Sequence, residues 1–151
     1  MSAPLPARDF WRGRRVLLTG HTGFKGSWAA LWLARLGAKT TGFALAPDTR
    51  PALFDLAHVA QDLDSRIGDL RAPEAVSAAV AAAEPEIVLH FAAQPIVRRA
   101  IAEPVETLAI NAMGTAHLLD ALRGAKRLQR GVIAIERDGE RSQHQQHGYS
   151  G

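Results

Sequence analysis

The residues with the plainest chemical meaning are three glycines, each three residues from the next, in Thr19-Gly20-His21-Thr22-Gly23-Phe24-Lys25-Gly26. A short apolar run, residues 14–19, leads into them, and a helical pattern begins at Ser27. At such a strand-to-helix junction Gly20 permits the tight turn. Gly23 has no Cβ, so a ligand can reach the backbone, and Gly26 lets the helix pack close to the strand. The free amides and the positive end of the helix then face an anion. The chemistry that suits this arrangement is capture of a dinucleotide's pyrophosphate. A tight turn with no ligand would use the same glycines, but the strand before and the helix after favour binding. Lys25 either approaches a phosphate or is a solvated first-turn lysine. His21 and Thr22 either donate to a phosphate or shape the turn.

Other groups that could do chemistry are sparse. The chain has no cysteine, which excludes disulfides, thiolate metal sites and cysteine nucleophiles. No His, Asp or Glu cluster has convincing metal-ligand spacing, and His144 and His147 fall in the expected tail, so no metal is expected. His90 ends an apolar run and reads as a core histidine. A ribose-binding acid is expected about 20 residues past a glycine turn. That region here is Gly42-Phe43-Ala44-Leu45, with Asp48 slightly late and Arg50 close by. Residue chemistry alone leaves NAD and NADP open.

The elements that must position these groups alternate. Strands are expected at residues 14–19, 40–45, 67–70, 87–91 and 132–135. Helices are expected at 27–36, 73–83 and 104–123. Trp28, Leu31, Trp32 and Leu36 share helical spacing in the first helix; Val76 and Val80 do so in the second. Val105, Leu108, Ala112, Leu119 and Leu122 fall on or near one stripe of the third. Alternating strands and helices imply an α/β fold, a Rossmann-like doubly wound parallel sheet, here incomplete. The 151 residues suit one domain. We expect an N-terminal arm at 1–13, the domain at 14–135, and a disordered tail at 136–151, which is polar and without apolar period.

The 18 lysines and arginines against 15 acids leave a small positive excess. The basic clusters, Arg12, Arg14 and Arg15, then Lys126, Arg127 and Arg130, carry no interleaved aromatics, so no nucleic-acid partner is expected. No apolar run reaches the roughly 18 residues of a membrane span, and the N-terminus lacks a signal-peptide core. The expectation is a cytoplasmic protein with no membrane partner.

Longer strings narrow the reading. The pattern T-G-x-x-G-x-x-G resembles the first turn of the extended short-chain dehydrogenase/reductase superfamily, and TGHTGFKGSW (19–28) resembles its CDP-glucose 4,6-dehydratase family. GFALAPDTRPALF (42–54), GDLR (68–71), HFAAQPIVRRA (90–100) and ETLAINAMGTAHLLDALR (106–123) resemble further motifs of that family, in the same order. The resemblance covers roughly residues 10–123 and implies NAD as cofactor. It places Gly20, Gly23, Phe24, Lys25 and Gly26 around the pyrophosphate, with Thr22 a candidate in the same loop. Asp69 would accept from the adenine amino group with Leu70 beside the ring. Phe91, Ala92, Ala93 and Gln94 would line the cofactor, and Asn111 would orient backbone or water nearby. Arg98 or Arg99 would reach a sugar-nucleotide phosphate. The bland readings are a turn aspartate, a loop glutamine, a half-buried helix asparagine and solvated arginines.

The implied reaction converts CDP-glucose to CDP-4-keto-6-deoxyglucose and water through an internal hydride exchange. The superfamily's base is the tyrosine of a Tyr-x-x-x-Lys motif, whose lysine lowers the phenol pKa. The one tyrosine here, Tyr149, is followed by two residues only. Glu136 and Asp138 do not match the family's fifth-strand string. No catalytic residue is therefore assigned, and the isolated chain is expected not to turn over. The alternatives are a stand-alone NAD(P)-binding module, a non-functional truncated remnant, or a GDP-mannose dehydratase or UDP-sugar epimerase relative; TGHTGFKGSW argues against the last. The long helix at 104–123 could form a homodimer face, although its apolar stripe is needed by the sheet first.

Overall fold

The computed structural model describes residues 8–133. Five parallel strands form one sheet in the order β3-β2-β1-β4-β5: β1 (Arg15–Thr19), β2 (Lys39–Ala44), β3 (Asp64–Ile67), β4 (Ile87–His90) and β5 (Arg130–Ile133). Between them run α1 (Arg8–Trp11), α2 (Phe24–Leu36), α3 (Leu53–Leu56), α4 (Pro73–Ala83), α5 (Val97–Ala102), α6 (Pro104–Leu108) and α7 (Gly114–Leu122). This is the expected Rossmann-like architecture. The expected tail, 136–151, lies outside the described residues, as do residues 134 and 135 of the last expected strand.

The side-chain period of a strand is two, so β1 feeds both faces. Val16 and Leu18 pack with Ala30, Leu33, Phe54, Val59 and Ile87 under α2 and α3. Leu17 packs with Phe43, Leu70, Val76, Val80, Val88, Leu118 and Leu122 under α4 and α7. Val16, Leu17 and Leu18 are at most 1% exposed, and each buried side chain of this kind is worth about 1.5–3 kcal/mol. Residues 8–11 of the expected arm are a helical turn lying on the domain. Arg8 donates to the Arg35 carbonyl at 3.1 and 3.3 Å, and Trp11 packs against the layer under α2.

Three expectations shift. The third strand is Asp64–Ile67 and not 67–70. It is the sheet edge and mostly exposed, so it carries no apolar signal. Trp28 and Trp32 do not face the sheet; they are 56% and 58% exposed, and α2 buries Gly26, Ser27, Ala30 and Leu33 instead. The helix approaches so closely that only its small-residue side fits. The expected single helix over 104–123 is α6 and α7 joined by a π-helical turn, Ala109–Met113. The face that meets the core is Gly114, Leu118 and Leu122. A Cβ on Gly114 would come within 2.8 Å of Leu70, so this glycine fixes which side packs inward. Val105, Leu108 and Leu119 point out, at 79%, 63% and 52% exposed.

Candidate functional site

The strand order places a topological switch between β1 and β4. The chain runs outward from β1 to β2 and β3, then returns to pair β4 on the other side of β1. In such sheets ligands bind in the crevice beyond the carboxyl ends of the strands at that point. Thr19 is in register with both Phe43 and His90. The glycine turn, the segment after β2 and residues 91–94 therefore leave the same edge side by side.

Gly20 has a φ of +79°, open to glycine at little cost, and a Cβ there would sit 2.7 Å from the Ala92 amide nitrogen. The two crevice walls touch at this point. A Cβ on Gly26 would overlap the Gly20 carbonyl oxygen, which is how the first turn of α2 closes over the loop. Helix α2 begins at Phe24, three residues before the sequence pattern suggests, with Gly23 as an N-cap that supplies no side-chain hydrogen bond. The first-turn amides of a helix have no intrahelical acceptor. A Cβ on Gly23 would find only the Gly20 oxygen, at 3.4 Å. The Gly20 and Gly23 amides donate to the Phe43 and Gly20 carbonyls, so an anion would meet the first-turn amides of α2 across a Gly23 that has no side chain in the way, a shape that fits a pyrophosphate. Phe24 and Lys25 are exposed at its rim.

The structure divides the remaining candidates. Thr22 donates to the Leu45 carbonyl at 2.8 Å, tying the turn to the end of β2. His21 is fully buried, with Nε2 2.8 Å from Ser65 Oγ and its ring edge-on to Phe54. Both residues shape the turn in this structure. Burial pushes the His21 pKa down to about 4, with the Phe43 carbonyl pulling more weakly the other way. A Cβ on Gly42 would come 2.5 Å from the imidazole, so that glycine makes room for the ring.

Leu70 is 5% exposed and packs in the core, leaving its neighbour Asp69 at the surface of the turn. Asp69 accepts from the Arg71 amide at 2.8 Å and from its guanidinium at 2.6–3.1 Å, which holds the carboxyl below its usual range. Arg71 also reaches Glu106 at 3.3 Å, and Arg99 pairs with Glu103 and Glu106 at 3.0 and 3.2 Å. Arg99 is thereby engaged in ion pairs, while Arg98 is exposed on the same short helix.

After β4, Phe91 and Ala92 are half-buried and Ala93 is exposed. Gln94 is 7% exposed; its amide donates to Ile96 O and Thr107 Oγ1 and accepts from the Ile96 amide at 2.7 Å. Asn111, in the π turn, accepts from the Gln94 amide at 2.7 Å and donates to its carbonyl at 3.0 Å. Asn111 thereby holds the Gln94 backbone. π turns are frequent at functional sites. Sequence reasoning missed Thr19, Ser65 and Thr115 as buried or part-buried hydrogen-bond partners. Each lies 25 or more residues from the histidine it meets, and no local pattern marks them. Among the described residues no group of three or more His, Cys, Asp or Glu could hold a metal ion, and no helix is long and apolar enough to cross a membrane.

Fold and crevice together define a Rossmann-like protein with a dinucleotide-type glycine turn. Comparison with known proteins names the family: residues 17–134 match the GDP-mannose 4,6 dehydratase model, and the chain belongs to that family. The match runs about ten residues past Gly124, where the motif resemblance fades. CDP-glucose 4,6-dehydratase of Salmonella typhimurium is 47% identical over 116 residues, covering 77% of this chain and 32% of the relative. GDP-6-deoxy-D-mannose reductase of Pseudomonas aeruginosa is 37% identical over 110 residues, 73% of this chain and 30% of the relative. The solved structure of UDP-glucose 4-epimerase from Brucella ovis, in complex with NAD, superposes with a TM-score of 0.68 at 26% identity, over 80% of this chain and 35% of that one. The chain thus spans about a third of the length of these relatives.

Proposed function

We propose that this chain is the NAD-binding part of a nucleotide-sugar dehydratase of the CDP-glucose 4,6-dehydratase type. The observation that carries the reading is the bare glycine turn at the β1–β4 switch point, whose Gly23 leaves open backbone where a pyrophosphate would lie. When bound, NAD supplies reversible hydride acceptance. Residues 20–26 take the pyrophosphate, Asp69 receives the adenine amino group, and residues 91–94 form the opposite wall. Thr22, Leu70, Gln94 and Asn111 hold those walls in place. The greater identity to the CDP-glucose enzyme, 47% against 37% for the GDP-sugar reductase, favours CDP-glucose as the nucleotide sugar of the complete reaction. The 151 residues contain no Tyr-x-x-x-Lys, and this chain by itself binds without turnover. Its proposed setting is the cytoplasm.

The outward stripe of Val105, Leu108 and Leu119 runs along α6 and α7, opposite the face seated on the sheet. A second copy of the chain, related by a two-fold axis, would cover it with its own stripe, giving a homodimer. The function is tested by calorimetric titration with NAD, NADP and CDP-glucose, followed by assay for a 4-keto sugar. NAD binding without product supports the reading, and folded protein that binds no nicotinamide nucleotide rejects it.

A further inference from the structure

His90 is 3% exposed at the end of β4, and both its ring nitrogens are engaged. Nε2 lies 2.9 Å from Thr115 Oγ1, and Nδ1 lies 2.6 Å from Thr19 Oγ1. The partners of the two hydroxyls decide where every proton sits. Thr115 Oγ1 is 2.7 Å from the Asn111 carbonyl, which can only accept, so the Thr115 proton points there. Thr115 must then accept from His90, and Nε2 carries a hydrogen. At the other side, Thr19 Oγ1 accepts from the Ala92 amide at 3.2 Å. Its own proton has one remaining use, donation to Nδ1. A doubly protonated ring would leave that hydroxyl proton without an acceptor.

We propose that His90 is a positioning residue, held as the neutral Nε2–H tautomer in a one-way hydrogen-bond chain that anchors the crevice wall. The chain runs from the Ala92 amide to Thr19, to His90, to Thr115 and to the backbone of the π turn. Asn111, in that same turn, grips both backbone groups of Gln94. Ala92 and Gln94 are therefore tethered from one short stretch of helix, residues 111–115, and exposed Ala93 is suspended between them. The Ala92 amide is also the atom that a Gly20 side chain would strike. Fixing it fixes the spacing between the loop and the glycine turn. Burial favours the neutral ring, lowering the His90 pKa. The consequence for affinity rests on the proposed reading of the crevice as the cofactor cradle; the tautomer does not.

The test begins with long-range proton–nitrogen NMR of the full chain at pH 7 without nucleotide. The expected spectrum has a protonated Nε2 and a bare Nδ1 for His90. A protonated Nδ1, in either the other tautomer or the imidazolium, overturns the proposal. Two variants then read the anchor. Thr19→Val is close in shape but loses the hydroxyl, and should deprotect the Ala92 amide to hydrogen exchange and weaken NAD binding about tenfold, the worth of one hydrogen bond. Thr19→Ser keeps the hydroxyl and should restore protection, with affinity within about twofold of the parent. A Thr19→Val chain that binds NAD like the parent rejects the positioning role. Should it fail to fold, the serine variant and the parent spectrum still decide. Absence of NAD binding by the unaltered chain, with the expected tautomer present, would sink the cofactor reading and leave the hydrogen-bond chain standing.

Discussion

A methyl group placed on Gly23 and on Gly26 in separate variants should divide binding from folding. At Gly23 the backbone has φ −76° and ψ 171°, a conformation any residue adopts, and the new carbon would meet only the Gly20 oxygen at 3.4 Å. Alanine is a poorer N-cap than glycine, so Gly23→Ala costs about 0.5–1 kcal/mol of stability. The same methyl stands where the pyrophosphate would approach the first-turn amides. Losing two charge-assisted hydrogen bonds, at about 1.5 kcal/mol or more each, removes about 3 kcal/mol of binding. NAD affinity falls on the order of 100-fold or more. At Gly26 the methyl would overlap the Gly20 oxygen and lie 2.6 Å from the Gly20 carbonyl carbon and 2.8 Å from His21 Cα. All three are backbone atoms, so the turn itself must open, at about 2–3 kcal/mol. Differential scanning calorimetry reads the stabilities, and isothermal titration with NAD reads the affinities. A Gly23→Ala chain that keeps full NAD affinity refutes the assignment of Gly23 to the phosphate cradle. A Gly26→Ala chain as stable as the parent refutes the packing argument.

Three further outcomes follow from the same structure. The depressed His21 pKa, about 4 against 6.5, means the unfolded chain takes up the proton first as pH falls. Stability is full above pH 6.5 and declines by roughly 3 kcal/mol on the way to pH 4, with buried His90 adding to the same slope. Urea melts across that range should show a shallower decline for His21→Gln; an identical slope contradicts the burial argument. Leu18→Ala empties a site with 0% exposure between α2 and the sheet and should cost about 3 kcal/mol in chemical denaturation; a loss below about 1 kcal/mol would mean the site collapses freely. If a second copy covers the α6–α7 stripe, sedimentation should show a dimer that Leu108→Glu converts to monomer, and a parent that is monomeric at high concentration removes that proposal.

Much of the fold was legible in the order of strands and helices. The buried parallel strands β1, β2 and β4 announce themselves because both faces need apolar residues. Strand β3 was misplaced because an edge strand reading Asp-Ser-Arg-Ile carries no such demand. Helix faces were harder. In α2 the two tryptophans draw the eye, yet Gly26, Ser27 and Ala30 make the close approach, since a helix this near the sheet has no room for an indole. In α7, Gly114 against Leu70 chooses the inward face, and the π turn shifts the phase between α6 and α7. At the site, the close approaches at Gly20 and Gly26 could be read from spacing because a missing Cβ is a local property. The roles of His21, His90 and Thr19 could not, because each depends on partners 44 to 73 residues away in the chain.

The claim that the opening turn of α2 holds the pyrophosphate is tested most directly by amide-resolved NMR of the isotopically labelled chain titrated with NAD. The amides of residues 20–26 should shift first and furthest, those of 91–94 with them, and the far ends of the strands, Arg15 and Lys39, should stay in place. Shifts centred elsewhere, or a well-folded spectrum that NAD leaves unchanged, would contradict it.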